Sequence, residues 1–266
     1  MELGGPGLAG LNGDNIGGGI PLVTVLVCTH NDEVTLPIAL TSAIAQTAEP
    51  EAYRILVVDD GSTDGTPEQI ERFRRRDPDR IDVVRLEKNG GLVPACNEGL
   101  GRVRTPFYVR LDGDDRLAPE LIEALLEASM LESAQLVYTD RYEVHGDGSI
   151  KPRRLSRGRL EVGELIAAGT LLPSRLAREV GGYRKMFWEE FDLYVRLLES
   201  GRCRHAHVER PLYTYTIGEP GRMTSDSGAV EAGWAELRER WPAEVLERWG
   251  LTRGLSGVPG RSAVAG

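Results

Sequence analysis

PLVTVLVCTHND, residues 21–32, decides the fold. Residues 22–28 form a near-continuous β-branched and aliphatic run with no polar face, the pattern of a strand buried on both sides of a parallel sheet. Polar residues take over abruptly at Thr29. YRILVVDDGSTDGT (53–66) repeats the grammar: a strand over 53–58, a polar turn, then a helix signalled by Asp64, Thr66 and Pro67. Further strands are predicted over 81–86, 106–111 and 134–140. Helices are predicted over about 33–46, with Pro37 in the first turn, over about 91–103, and from Pro119. This alternation builds βαβ units, so the fold class is α/β, a mostly parallel central sheet flanked by helices. Ligands of such sheets gather beyond the carboxyl ends of the strands. CTHND, DDGSTDG and LDGDD each follow the last apolar residue of a strand, so three clusters far apart in sequence converge on one rim.

After residue 141 the pattern changes. RYEVHGDGSIKPRRL (141–155) reads as a β-hairpin turning at Gly-Asp-Gly. Two helices follow around Gly181-Gly182, the second with Phe191, Tyr194, Val195 and Leu198 at helical spacing and a stop at Gly201. On this second helix Asp192 and Arg196, spaced i, i+4, are expected as a solvated ion pair. CRHAHVERPLYTYTIG (203–218) alternates like an antiparallel strand pair, on which His205 and His207 are expected to be structural. Residues 231–250 carry Trp234, Trp241 and Trp249 on a helix interrupted by Pro242, to pack the core, join two copies in a homodimer or touch a membrane surface.

The 266 residues are read as one domain over 21–250, preceded by a Gly-rich leader (1–20) and followed by a loose tail (251–266). A net charge of −9 and a pI near 5.1 offer no general attraction to a phosphate backbone, so nucleic acid is not an expected partner. Three scattered cysteines, Cys28, Cys96 and Cys203, make neither a disulfide framework nor a zinc site, which fits a reducing, cytoplasmic setting. The N-terminus has no secretory-signal pattern and no run is apolar enough to span a bilayer, leaving only peripheral membrane contact. One feature resists a purely structural account. YVRLDGDDRLAP (108–119) crowds Asp112, Asp114 and Asp115 at the end of a buried strand, where each raises its neighbours' cost of ionising. Water, a basic side chain or a metal ion must sit among them.

VLVCTHND, ILVVDDGSTDGT, NGGLVPACNEGL, YVRLDGDD and WEEFDLYVRL occur in an order and spacing that resembles the inverting, nucleotide-sugar-dependent glycosyltransferases of family 2, over about residues 21–217. The resemblance implies a GT-A (Rossmann-like) fold, with a nucleotide-sugar-binding half over 21–140 and an acceptor-binding half over 141–250. It also implies a hexosyl- or N-acetylhexosaminyltransferase. The donor would be a nucleotide-sugar, read as a UDP-sugar, and the acceptor a glycan, lipid carrier, peptide or natural product. A diphosphate approaches a carboxylate rim only across a divalent cation, and oxygen ligands favour Mg²⁺ or Mn²⁺. The family motif then makes Asp114 the direct metal ligand, Asp112 a ribose or metal contact, and Asp115 a supporting or sugar-contacting acid. Asp60 would accept the uracil N3–H, with Asp59 supporting its turn. Thr29, His30 and Asn31 would hold base and ribose, Gly90 and Gly91 would offer backbone N–H groups to an oxygen, and Asn97 belongs to the same donor set.

By the same resemblance Glu190 takes the position of the general base, with Glu189 the alternative; elementary electrostatics would equally place both at a helix N-terminus. Phe187 and Trp188, just before them, are read either as acceptor platforms or as core. Three positions depart from the family pattern. Cys96 replaces a common Arg, Glu190 is longer by a methylene than the usual Asp, and 215–224 lacks the usual His, leaving Arg222 as the cation of a candidate lid with Gly218, Pro220 and Gly221. These departures keep open a non-catalytic sugar- or nucleotide-binding relative, and the acidic site keeps open a sugar nucleotidyltransferase.

Overall fold

A computed structural model of the chain describes residues 20–156, 160–165, 168–217 and 226–251. The leader up to residue 19, the tail after 251 and the lid positions Gly218, Pro220, Gly221 and Arg222 lie outside the described residues. The first half follows the predicted alternation: β1 (Val23–Thr29), α1 (Leu36–Ile44), β2 (Tyr53–Asp59), α2 (Thr66–Arg76), β3 (Ile81–Arg85), α3 (Leu92–Arg102) and β4 (Phe107–Asp112). Their order in the sheet is β3-β2-β1-β4, all pairs parallel. Beyond β4 the sheet continues through β8 (Leu171–Pro173), β6 (Leu136–Val144), β9 (His205–Thr216) and β5 (Arg116–Leu117), with β7 (Ile150–Arg153) on β6. The pairings make β1 to β4, β6 and β9 run one way and β5, β7 and β8 the other, a mostly parallel sheet.

Strand alternation sorts side chains onto two faces. Val23, Val25 and Val27 pack with Leu36 and Leu40 of α1, Ile70 and Phe73 of α2, and Leu121 and Leu125 of α4 (Leu121–Glu132). Leu26 and Cys28 point the other way. They join Cys96 and Leu100 of α3, Leu193 and Leu197 of α6 (Glu189–Glu199), and Trp234 and Leu237 of α7 (Ser227–Arg240). α5 (Ser174–Glu179) and α8 (Ala243–Arg248) close this second layer. The break between α7 and α8 falls at Pro242, as the sequence predicts.

Two expectations need correction. The predicted strand pair over 203–218 is instead, within the described residues, one strand: β9 has 12 residues and runs parallel to β6. Its register jumps from Thr139↔Val208 to Asp140↔Pro211 and again to Arg141↔Tyr213, so the chain bulges on both sides of Pro211, which has no N–H to donate to the ladder. The predicted hairpin is present, its first strand being the end of β6, which runs on to Val144 and pairs antiparallel with β7 from Arg141↔Arg153 to Val144↔Ile150 around the Gly146-Asp147-Gly148 turn. Second, Asp192 and Arg196 are not solvated. They are 0% and 7% exposed and bonded at 2.8 Å. The guanidinium also donates to the carbonyls of Val180 (2.7 Å) and Gly182 (2.6 Å), and Trp241 Nε1 donates to Asp192 Oδ1 at 3.1 Å. This network fastens α6 to the Gly181-Gly182 loop and to the residue after α7.

Candidate active site

The carboxyl ends of β1, β2 and β4 open into a cavity of ≈ 580 Å³, closed on the far side by the N-terminus of α6 and the end of β9. Thr29, His30, Asp60, Gly91, Asp112, Asp114, Glu189 and Glu190, from five separate segments, all line it. Asn31, Gly90, Asn97 and Asp115 do not line it and support the rim or the fold behind it.

The turn after β2 is built around its two acids. Asp59 Oδ1 accepts the Ser62 N–H at 2.9 Å. Asp60 accepts the N–H groups of Gly90 (2.8 Å) and Gly91 (2.7 Å), one on each oxygen. Those N–H groups, expected to be bare, are therefore already engaged, although each Asp60 oxygen keeps a second acceptor site. Gly61, between these loops, has φ +67°, and a Cβ there would lie 2.6 Å from the Lys88 carbonyl carbon, so only glycine fits. The Asp60 carbonyl binds His30 Nδ1 at 2.8 Å. A carbonyl only accepts, so Nδ1 carries the proton and Nε2 is left to accept from Asn31 Nδ2 at 3.2 Å. Asn31 (φ +56°) also accepts the Thr63 N–H at 2.9 Å, joining the two turns. Asn97 is spent on the main chain of Tyr183, donating to its carbonyl and accepting its N–H, both at 2.8 Å.

The three crowded carboxylates find three different solutions. Asp112 is chelated by Arg110, through Nε at 2.8 Å and Nη2 at 3.2 Å. Asp115 turns inward, 1% exposed, and accepts Tyr213 Oη–H at 2.6 Å and the Thr216 N–H at 2.9 Å. Burial, then Asp114 and Asp112, push its carboxyl well above the usual range. Asp114 stays on the cavity wall, its carbonyl accepting the Thr216 hydroxyl at 3.1 Å. Among the described residues no three His, Cys, Asp or Glu side chains are grouped to hold a metal ion alone. A pair of carboxylates facing a cavity nonetheless suits a hard cation that takes its remaining ligands from substrate phosphate and water.

At the start of α6, Glu189 and Glu190 are 2% and 8% exposed. Arg110 Nη1 reaches Glu189 Oε1 at 3.0 Å, so one guanidinium serves both the acidic turn and the glutamate pair. Burial opposes its charge, but Asp112 and Glu189 outweigh it and raise its proton affinity. Burial and then Glu189 push the Glu190 carboxyl well up, against the pull of Arg110. Trp188 lines the cavity with its ring stacked on Phe191 (centroids 5.0 Å, 15°), while Phe187 packs away from it, so tightly that a Cβ on Gly233 would lie 2.6 Å from its Cβ. His207 binds Asp140 at 2.9 Å and stacks on Tyr138 at 4.7 Å, away from the cavity.

Residues 24–190, more than half of the chain, match the model of glycosyl transferase family 2. The chain belongs to this family. The glycosyltransferase is 36% identical over 106 residues to an uncharacterised glycosyltransferase of Haemophilus influenzae, a match covering 40% of this chain and 32% of that protein. The chain thus spans about a third of that relative's length. Its fold superposes with TM-score 0.71 on the crystal structure of Staphylococcus aureus TarS 1-349 in complex with UDP-GlcNAc, at 18% identity, covering 88% of this chain and 73% of that one. It superposes with TM-score 0.65 on the mannosyltransferase PcManGT of Pyrobaculum calidifontis in complex with GDP-Man and Mn²⁺, at 15% identity, covering 87% and 68%. The fold of this glycosyltransferase is therefore GT-A. Among the described residues no helix is long and apolar enough to cross a membrane.

Of the charged residues that line the cavity, two escape the sequence reading. Arg110 leaves a trace, a lone cation in the apolar strand PFYVRL two residues before Asp112, which strand periodicity puts on the same face. Asp32, whose Oδ2 accepts the Thr29 hydroxyl at 2.7 Å, leaves none beyond its place in CTHND.

Proposed function

We propose that this glycosyltransferase transfers a sugar from a UDP-sugar to an acceptor with inversion at the anomeric carbon, Glu190 taking the acceptor's proton. The observation that carries the reading is the single cavity shared by Asp60, Asp114 and Glu190. Asp60, held rigid by two loop N–H groups, keeps acceptor sites for the uracil N3–H, beside the fixed His30 ring. Asp114, with Asp112 beside it, would hold a Mg²⁺ or Mn²⁺ ion, which when bound supplies neutralisation of the departing diphosphate. Glu190 removes the proton from the acceptor as its oxygen bonds to the anomeric carbon, and the bond to the diphosphate breaks in the same displacement; a positioned base contributes about 10²–10⁴ in rate. The upward push on its carboxyl gives Glu190 the basicity this needs. Trp188 offers an apolar face for an acceptor ring.

The test is a thermal-shift and calorimetric panel of UDP, GDP, UDP-glucose and UDP-N-acetylglucosamine, with and without Mn²⁺, alongside assays of nucleoside diphosphate and pyrophosphate release. Mn²⁺-dependent stabilisation by a uridine nucleotide, lost in Asp114→Asn, and release of UDP are expected. Pyrophosphate release, binding without turnover, or a preference for GDP would each replace the reading.

A further inference from the structure

Arg110 touches both halves of the site. Its side chain is 4% exposed and lines the cavity; its Nε and Nη2 face the two oxygens of Asp112, and its Nη1 faces Glu189, itself 2% exposed. Guanidinium is a planar fork, so the three contacts cannot be adjusted independently: moving Asp112 moves the nitrogen that faces Glu189. Glu190 follows Glu189 directly at the start of α6, and burial and then the neighbouring carboxylate raise its proton affinity. The sequence thus places, two residues before the donor-side acid, the cation that orders the acceptor-side pair.

We propose that Arg110 is the positioning residue of the transfer: it fixes Glu189 as its ion-pair partner, leaving Glu190 as the carboxylate that receives the acceptor's proton, and it ties this pair to the donor through Asp112. The inference rests on the reading of Glu190 as base. In the step itself the acceptor O–H proton passes to Glu190, the acceptor oxygen bonds to the anomeric carbon, and the bonding pair to the diphosphate leaves with UDP. Arg110 and Glu189 exchange no proton in it. Without Arg110, Glu189 is a buried carboxylate lacking its cation, beside a second carboxylate, and the two compete for one proton.

Two arms leave from Arg110, so two readouts separate them. UDP release from UDP-glucose and UDP-N-acetylglucosamine with Mn²⁺ is measured in wild type, Arg110→Gln, Glu189→Gln and the double variant, each checked for folding by thermal unfolding. Glu189→Gln should lower kcat by about 30-fold or more with the donor KM within about 3-fold, because it touches only the acceptor side. Arg110→Gln should lower kcat comparably and also raise the donor KM, through Asp112. In the double variant kcat should lie within about 3-fold of the worse single variant, since residues acting as a unit are not additive, while the KM rise persists. Arg110→Lys, a point charge without the fork, should recover part of kcat. Losses in kcat that multiply in the double variant, or an Arg110→Gln enzyme with wild-type kcat, overturn the proposal and leave the reading of Glu190 standing. A wild type that releases no UDP overturns both. Should Arg110→Gln not fold, Arg110→Lys and Glu189→Gln decide by the same criterion: equal kcat and KM in Arg110→Lys and wild type overturns it.

Discussion

Replacing Arg196 with Met tests whether the buried network under α6 is as costly to break as its geometry implies. The side chain keeps its apolar stem and loses the guanidinium, which leaves Asp192, 0% exposed, with the Trp241 N–H and only the distant, half-exposed Arg184 guanidinium at 4.0 Å. The carbonyls of Val180 and Gly182 lose donors at 2.7 and 2.6 Å. Breaking a buried ion pair from one side costs about 3–5 kcal/mol, and each stranded acceptor about 1–3 kcal/mol. Taken at the low end, because the Gly-Gly loop can relax, the loss is about 4–6 kcal/mol, a large fraction of the stability of an ordinary domain. Urea unfolding followed by tryptophan fluorescence reads it directly. At about 2–4 °C per kcal/mol for a chain of this size, Tm should fall by at least about 8 °C. The double variant Asp192→Leu with Arg196→Met removes the buried charge that Arg184 only weakly compensates and should recover part of the loss. A loss below about 1 kcal/mol in Arg196→Met, or a double variant less stable than the single one, would refute the reasoning.

Three further outcomes are expected. Because burial and Glu189 raise the Glu190 carboxyl, and a base works only when unprotonated, kcat/KM should be full at high pH and decline with unit slope as pH falls through a value well above the ordinary glutamate range. An acid limb at ordinary glutamate values, or an unchanged rate in Glu190→Gln, argues against that role. Gly61→Ala should cost about 1–3 kcal/mol in urea unfolding and weaken UDP binding by displacing Asp60, since φ +67° and a 2.6 Å approach to backbone leave no room for a methyl; a variant as stable as wild type counts against the crowded turn. Cys28 and Cys96, buried with sulfurs 3.5 Å apart and the Cys28 thiol pushed up by its bond to Cys96 and by burial, should resist iodoacetamide in the native protein and react once unfolded, as mass spectrometry will show.

The parallel half of the sheet is legible from its residues because β1, β2 and β4 are buried on both faces, so apolar runs end sharply where the chain reaches the rim. That abruptness also exposes Asp60, Asp112 and Asp114. The second half is harder for a physical reason: β5 and β8 have two and three residues, too few for any period, and β9 carries a bulge that imitates a turn. The acidic cluster poses the right question, and spacing alone leaves three answers open. Arg110 answers it for Asp112, Tyr213 and Thr216 answer it for Asp115, and both solutions are contacts that one-dimensional spacing does not contain. Asp192 and Arg196 mislead because an i, i+4 pair has the same spacing whether water or protein covers it.

The bulge in β9 has a consequence for how such a site can vary. Side chains along a strand point alternately to opposite faces, so the extra residues between Val208 and Tyr213 set the phase of everything after them. Deleting one would turn Tyr213 away from Asp115 and carry Thr216 out of reach of the acidic turn, with no ligand-facing residue altered. A segment that never meets the substrate thus acts as a spacer whose length tunes the grip on the chemistry.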